Sequence, residues 1–410
     1  MSKNWKKLMN VFTFTVIGAL FITACSSDDE DDVTPPGDND QLSGEVQYLN
    51  GTISENTVLK RQTHDPDEAD YIMDDDVTVE AQVTIEPGVR IEVLEDVRME
   101  IDEGFLSSEG SENEPVLFTV HEPAAGYKWR GIFFRTSDQR NLLQHTRIEH
   151  AGSRDLNASI HRHEVNVGVN EGARLSVKHS EFAHSGDYGI YVEEEADIPE
   201  FENNTFENNE GSAILVHADN VHAMDEASTF SGNGHDGVEV RGGDVVEEST
   251  WGKLTRGASY FISDDIDIEE PLTITAGAFF EMAYDVRISV EENGYLNAQG
   301  NEGDLIRFTS ADIPAGQKWR GIVFATVNNN NHLDYVHLAH GGSSDLHGTH
   351  GEKANVGTRR ADTFFKISNS MITDSDGHGI AIRDLDGINY DVENNNNQFS
   401  NNAQDDIYIN

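Results

Sequence analysis

Residues 128–134 read Lys-Trp-Arg-Gly-Ile-Phe-Phe, and residues 318–324 read Lys-Trp-Arg-Gly-Ile-Val-Phe. In both stretches the isoleucine and the last phenylalanine are two positions apart, so they lie on the same face of a short strand. The glycine before the isoleucine indicates a bend at a place where a side chain would collide with neighbouring backbone. This stretch decides the fold, because it belongs to a long series of equally short strands.

Short alternating strands such as residues 83–85 and 89–93 follow one another from about residue 44 to the end of the chain, separated by Gly, Asn and Asp. No long stretch has helical periodicity. Strands this short and regular predict an all-β solenoid in which each coil stacks on the one before it. The asparagine pairs at 203–204 and 208–209 are suited to left-handed turns or to amide ladders between coils.

The second half of the chain repeats the first at an offset of 189 to 193 residues. The matching segments are 84–88 with 273–277, 96–98 with 285–287, 128–132 with 318–322, and 150–156 with 340–346. The repeat predicts two tandem homologous halves, residues 46–248 and 249–410.

These motifs resemble those of the right-handed parallel β-helix, or pectate-lyase-like, superfamily. The similarity is greatest to surface lipoproteins whose units open with Thr-Ile-x-x-Gly, pass through Trp-x-Gly-Ile-x-Phe and close on Gly-Ile followed by Asn-x-Phe-x-Asn. Here those motifs are residues 84–88, 129–134, 187–190 and 204–208. The resemblance covers about residues 50–410 and implies an all-β, right-handed parallel β-helix. It implies little about activity, because one fold can carry many functions.

The first 24 residues are typical of a signal peptide, with early lysines and a short apolar run over residues 11–22. The run ends in Ile22-Thr23-Ala24-Cys25, which resembles the bacterial lipobox and predicts that Cys25 is acylated. A plain signal peptide with an incidental cysteine is the alternative. Cys25 is the only cysteine, so the chain forms no internal disulfide.

Residues 25–45 are predicted to be a lipid anchor followed by a disordered tether, because Ser, Asp, Glu, Pro and Gly dominate the segment. Residues 26–32 read Ser-Ser-Asp-Asp-Glu-Asp-Asp, and such a cluster directly after the cysteine resembles a surface-export signal of Gram-negative lipoproteins. The expected location is the cell outer membrane, facing outward. The alternative is a spacer that faces the periplasm.

The chain has 75 acidic and 28 basic residues, a net charge of −47. Nucleic acid and anionic membrane surfaces are poor partners for such a field. The acids are spread along the chain, which favours adaptation to high salt over a set of Ca²⁺ ligands, and Ca²⁺ is left open as a cofactor. No stretch is locally basic, as the cleft of an enzyme acting on a polyanion should be.

Polar and aromatic residues recur at the same positions of both copies. A loop rich in His and Asp follows each Trp motif and could hold a metal or a sugar, and an exposed indole could stack on a sugar ring. The alternative, which the lack of regular metal-ligand spacing favours, is that the histidines end strands and the tryptophans shield the core. The candidate ligand-binding residues are Trp129, Arg130, His150, Asp155, His161, Trp319, Arg320, His340, Asp345 and His350.

Residues 377–379, Gly-His-Gly, resemble an element of polygalacturonase-type glycoside hydrolases. Those enzymes need two carboxylates at a set separation, and Asp374 and Asp376 are too close together, so we assign no catalytic residue. The sequence favours a non-catalytic surface protein that binds a polysaccharide or a protein. A polysaccharide lyase or glycoside hydrolase of this fold, and a structural spacer, are the alternatives.

Overall fold

The computed structural model describes residues 42, 44–157, 163–348, 351–383 and 395–410. Residues 42–410 form one compact unit. Within the described residues the chain is built from short strands and two 3₁₀ helices, Pro123–Ala125 and Ala218–Ala223. No helix in the described part is both long and apolar enough to span a membrane.

The strands, numbered in chain order, pair in parallel with strands of the neighbouring coils and so form five ladders. Strand β1 (Gln47–Ile53) pairs with β3 (Tyr71–Val79). The two ends of β3 pair with two different strands, Arg90–Val93 and Arg98–Ile101, so β3 begins two ladders. Ladder I contains β2 Thr57–Leu59, β4 Gln82–Ile85, β7 Phe105–Glu109, β10 Leu142–Gln144, β13 Ser176–Lys178 and β16 Phe201–Glu202. Ladder II contains β5 Arg90–Val93, β8 Val116–Val120, β11 Thr146–Glu149, β14 Glu181–Ala183, β17 Thr205–Glu207 and β19 Thr229–Ser231.

Ladder III is the longest and extends from the first coils to the last. It contains β6 Arg98–Ile101, β9 Gly131–Phe134, β12 Val165–Val169, β15 Tyr188–Val192, β18 Ser212–Val216, β20 His235–Val240, β23 Ser259–Ile262, β26 Phe279–Met282, β29 Ile306–Ser310, β32 Val336–Ala339, β35 Met371–Thr373 and β37 Gln398–Ser400. Ladder IV contains β21 Gly243–Val245, β24 Ile266–Ile268, β27 Arg287–Val290, β30 Gly321–Phe324, β33 Ala354–Thr358, β36 His378–Ile382 and β38 Ile407–Ile409. Ladder V contains β22 Ser249–Trp251, β25 Pro271–Ile274, β28 Tyr295–Gln299, β31 His332–Asp334 and β34 Lys366–Ser368.

The order in which the chain visits these ladders defines a parallel β-helix. Up to residue 240 the chain passes repeatedly through ladders I, II and III, with the 3₁₀ helix Ala218–Ala223 in place of a ladder I strand in the last of these coils. From residue 243 it passes repeatedly through ladders IV, V and III. Ladder III continues from β20 to β23 without a break, so strand pairing is not interrupted at the boundary predicted between residues 248 and 249. Descent of the two segments from one ancestral half stays a prediction from the sequence.

Segments that match in sequence occupy different faces of the helix. The first Trp motif forms β9 of ladder III, whereas the second forms β30 of ladder IV. Likewise β8 is in ladder II, and its counterpart β29 is in ladder III. Each repeated motif therefore lies one face further around the coil in the second copy.

Inward-pointing aromatic side chains stack from coil to coil along ladder III. Phe280 is fully buried, and its ring centroid lies 5.2 Å from that of Tyr260 and 4.8 Å from that of Phe308. These contacts hold together three successive coils of the second copy. The hydrophobic core passes without interruption from one copy to the other.

Corner residues with positive φ form columns at the two ends of the ladder II strands. The first asparagine of each predicted pair is such a corner residue, with φ of 52° at Asn203 and 56° at Asn208. The second of each pair is buried, and Asn204 donates from Nδ2 to Val177 O at 3.1 Å. The left-handed turn is confirmed at the first asparagine of each pair, and Asn209 Nδ2 makes an amide contact between coils by donating to Asn233 Oδ1 at 2.8 Å.

The aromatic stack leads to a stability prediction. We expect Phe280→Ala to lower the free energy of unfolding by about 3–5 kcal/mol, because it leaves a cavity between two packed rings. Urea denaturation followed by the fluorescence of the buried tryptophans measures this change. Val327→Ala, at a side chain that is 55 % exposed, is the control and should change stability by less than about 0.5 kcal/mol. Equal midpoints for the two variants would contradict the assignment of Phe280 to the core.

Candidate functional site

Both tryptophans of the repeated motif lie in the core. Trp129 and Trp319 have no exposed surface. Their Nε1 atoms donate hydrogen bonds to backbone carbonyls, Glu149 O at 2.8 Å and Ala339 O at 2.7 Å. An indole must expose a face to stack on a sugar. The prediction that these two residues bind a ligand is therefore wrong, and shielding of the core accounts for both.

The loop that follows the Trp motif is anchored to the outer face of the helix. Leu156 packs on Phe133 in a small apolar cluster outside the main core. Gly131 has φ of 119°, and a Cβ there would lie 2.5 Å from Val165 O. Only glycine lets the strand begin beneath the loop in this conformation. Gly321 has the same role in the second copy, with φ of 126°.

The two repeated histidines are corner residues. His150 has φ of 59° and His340 has φ of 64°. The His150 ring stacks on that of His184 at 4.7 Å, and His340 Nδ1 is hydrogen-bonded to Thr309 Oγ1 at 2.8 Å. Burial lowers the pKa of both imidazoles below the usual value. These contacts are those of the structural alternative. His161 and His350 lie outside the described residues.

Three arginine side chains line a pocket of about 550 Å³ beside the loop of the first copy. Arg98 begins β6, Arg130 directly precedes β9, and Arg154 belongs to the loop itself. The other lining residues are Asp155, Leu156, Asn157 and Glu164. Of the predicted candidates, the structure brings Arg130 and Asp155 together here.

The Arg130 guanidinium is poorly neutralised. Only 15 % of its side chain is exposed, and its Nη1 lies 3.7 Å from Asp76 Oδ2, too long for a strong ion pair. Its Nε is buried without a hydrogen-bond acceptor among the described residues. Burial, together with the charges of Arg154 and Arg98, lowers the pKa of Arg130 below its usual value. Arg130 is therefore a sheltered positive charge without a strong ion pair, which makes it a candidate ligand-binding group.

The other two arginines of the pocket have closer partners. Arg98 donates from Nη1 to Leu156 O at 3.0 Å and pairs with Glu100 at 2.8 Å. Arg154 is half-exposed, with its Nε 3.4 Å from Asp96 Oδ1. Arg98 thus holds the loop in place, whereas Arg154 extends into solvent at the pocket edge.

In the second copy the equivalent arginine is fully engaged. Arg320 donates from Nη2 to Asp285 Oδ2 at 2.7 Å and from Nε to Asp285 Oδ1 at 3.3 Å. Ser343 Oγ also donates to Asp285, and Ser344 stands where the first copy has Arg154. The hydrogen bond from Arg320 is the main reason that the pKa of Asp285 falls to about 2. Asp345 is exposed at the rim of this loop.

Sequence reasoning missed Arg98 and Arg154, which join Arg130 in a pocket that Asp155 and Glu164 also line. These residues come from separate stretches of an acidic chain, and only folding brings them to Arg130. One signal was readable, since the repeated His-x-Gly-Ser-x-Asp-Leu motif has arginine at position 154 and serine at position 344.

The candidates of the two copies do not line one groove. The loop of the first copy follows β11 of ladder II and precedes β12 of ladder III, whereas that of the second copy follows β32 of ladder III and precedes β33 of ladder IV. Among the residues described, no group of three His, Cys, Asp or Glu side chains is placed to hold a metal ion. Ca²⁺ stays an untested cofactor.

The Gly-His-Gly segment belongs to the final coil. His378 is almost fully buried, its Nδ1 accepts a hydrogen bond from Asp405 N at 3.1 Å, and its ring stacks on Tyr408 at 4.5 Å. These contacts fasten the last strand, β38, to β36. They give His378 a structural role at the end of the solenoid.

The strand topology and the family match together define a right-handed parallel β-helix, which confirms the predicted fold class. Residues 128–251 match the family described as "Right handed beta helix region". No match to a curated protein was found. The crystal structure of the periplasmic alginate epimerase AlgG is similar over 83 % of this chain and 78 % of that chain, with 12 % identity and a TM-score of 0.26. At this TM-score we draw no conclusion about activity from the similarity.

The contrast between the two arginines predicts a pH-dependent difference in stability. Asp285, 29 % exposed, has its pKa lowered to about 2 chiefly by Arg320. This stabilisation is present above the unfolded pKa of about 3.9 and disappears as the pH falls through about 2. We expect Arg320→Met to lose about 1–2 kcal/mol at pH 7 and to approach the wild type near pH 2.

Urea denaturation of both proteins between pH 7 and pH 2 measures this difference. Arg130→Met is the matched control, and we expect it to change stability by less than about 0.5 kcal/mol because its nearest carboxylate is distant. A pH-independent difference for Arg320→Met would show that the arginine acts through packing alone.

Proposed function

We propose that the protein is a lipid-anchored, outward-facing surface protein that binds an acidic polysaccharide without cleaving it. The binding site is the pocket lined by Arg98, Arg130 and Arg154, which we call the arginine pocket. One observation carries the proposal: three guanidinium groups meet in one pocket of a chain whose net charge is −47.

Arginine is suited to the carboxylate of a uronic acid or to a sugar sulfate, because its planar guanidinium binds two oxygens at once. Arg130 is the central group, since it is sheltered from solvent and has no close carboxylate partner. The carboxylates of Asp155 and Glu164 also line the pocket and can accept hydrogen bonds from sugar hydroxyls. The chemistry of the pocket thus supports an anionic sugar more than a neutral one.

The overall negative field would repel a polyanion at low salt. In a saline environment it is screened over about 3–8 Å, and contacts inside the pocket are screened less. The acidic composition, interpreted above as an adaptation to salt, is consistent with this ligand. We expect binding to be weak at low ionic strength and to strengthen as salt first rises.

The anchoring part of the proposal rests on the sequence. Residues 22–25 resemble a lipobox, and the acidic cluster after Cys25 resembles a surface-export signal. Acylation would hold the protein at the membrane, because each buried CH₂ of an acyl chain contributes about 0.8 kcal/mol. A β-helix held in this way could retain polysaccharide at the cell surface.

The arginine pocket predicts a specific loss of binding. We expect Arg130→Met to weaken binding of polygalacturonate by at least tenfold, because the sheltered guanidinium is removed while the side-chain volume is kept. Arg320→Met is the matched control in the second copy and should bind as the wild type does. Calorimetric titration of the soluble chain from Gln41 onward, at 0.5 M salt, measures both, with dextran sulfate and neutral dextran as comparison ligands.

The three outcomes separate the candidate functions. Binding that depends on Arg130, with no unsaturated or reducing-end product, supports capture. Appearance of products would replace the proposal with a lyase or hydrolase. Equal binding by both variants, or no binding of either acidic polysaccharide, would overturn it and favour a spacer or a protein-binding role.

A further inference from the structure

A second cationic pocket lies where the two copies join. Its volume is about 440 Å³, and it is formed by the connection 252–258 between β22 and β23 and by the turns before β26 and β29. Lys253, Arg256 and Arg307 line it together with Phe279. We call it the junction pocket.

The two arginines of the junction pocket have no ionic partner among the described residues. Arg256 and Arg307 are exposed, and no carboxylate oxygen of the described residues lies within 4.0 Å of either. Lys253 is held at 2.9 Å from Glu226, with Asp304 at 3.8 Å. Most cations of this acidic chain are paired, so two unpaired arginines in one pocket are a distinct feature.

An aromatic ring completes the junction pocket. The Arg307 guanidinium lies over the Phe279 ring, 4.4 Å from its centroid. This contact positions the guanidinium beside the ring, and an anion can accept hydrogen bonds from its N–H groups. A half-buried ring next to a cation is also a surface on which a sugar can pack.

The junction pocket lies on the same side of the β-helix as the arginine pocket. On ladder III, Arg98 pairs with Gly131, and these two residues directly precede the inward-pointing Met99 and Ile132. Phe279 pairs with Arg307, and these two directly precede Phe280 and Phe308 of the same inward column. Six steps of strand pairing separate β9 from β26. At about 4.8 Å per step, the pockets are roughly 29 Å apart along the axis.

The surface between the two pockets has a different character. A shallow pocket of about 400 Å³ lies there, lined by the half-buried aromatic side chains of Tyr188, His235 and Phe261. Glu239 and Glu281 line it as well. Carboxylates accept hydrogen bonds from sugar hydroxyls but repel a second carboxylate or sulfate. This stretch is therefore suited to neutral sugars.

We infer that the junction pocket binds a second acidic group of the polysaccharide held in the arginine pocket, and that the ligand is a chain whose acidic sugars are separated by neutral ones. The inference rests on the proposed function and specifies its ligand. Two linked contacts roughly 29 Å apart raise the affinity for a long chain without changing the affinity for a short fragment.

The double variant Arg256→Gln/Arg307→Gln tests the inference. We expect it to weaken binding of a long acidic heteropolysaccharide with spaced uronic acids, such as xanthan fragments of about twenty sugars, by at least tenfold. A fragment with one uronic acid should bind as tightly as to the wild type, because it occupies the arginine pocket alone. Arg241→Gln/Lys366→Gln is the charge-matched control, since it removes two exposed cations that lie outside both pockets and have no carboxylate partner among the described residues.

The results distinguish the two proposals. If Arg130→Met abolishes binding of the long fragment but the junction variant binds it as the wild type does, the arginine pocket stands and the junction site is wrong. If the control weakens binding as much as the junction variant does, the effect is one of net charge, and the junction site is also wrong. If Arg130→Met has no effect on either fragment, the proposed function itself fails.

Discussion

Parallel backbone hydrogen bonding along ladder III is the constraint on which the rest of the structure depends. Each strand is in register with the next, so residues far apart in sequence, such as Arg98 and Arg307, are fixed on one side of the molecule. The inward column of isoleucine, valine and phenylalanine fills the core, and the corner residues turn the chain between faces. What remains outside, loops and outward side chains, is free to vary without disturbing the ladder.

The fold could be predicted because its determinants are local. Each determinant acts over a few residues: the alternation within short strands, glycines such as Gly131 and the asparagine corner pairs. The internal repeat also presents the same motifs a second time in the sequence. The place of the tryptophans was harder to predict. A Trp in a short strand can lie in the core or on the surface, and the sequence pattern is the same in both cases. Burial is possible here because the carbonyl oxygens of Glu149 and Ala339 accept the hydrogen bonds of the indole N–H groups.

The site was less predictable because it is assembled from coils that the sequence keeps apart. Arg98 and Arg130 are separated by a full coil, and Arg154 comes from a loop whose path no short-range pattern predicts. Recurrence in both copies also made His150 and His340 candidates for ligand binding, but it reflects their shared corner geometry. In this chain the informative positions are those where the copies differ, such as Arg154 and Ser344, since the shared residues maintain the solenoid.

The displacement of the second copy by one face has a consequence for how the molecule meets its surroundings. A tandem duplication normally doubles the number of identical contact points offered to one flat partner. Here the equivalent loops look outward in different directions from a common axis, so no single planar surface can touch both. The second copy therefore adds reach rather than valence, because its loop faces a different part of the surroundings from the loop of the first.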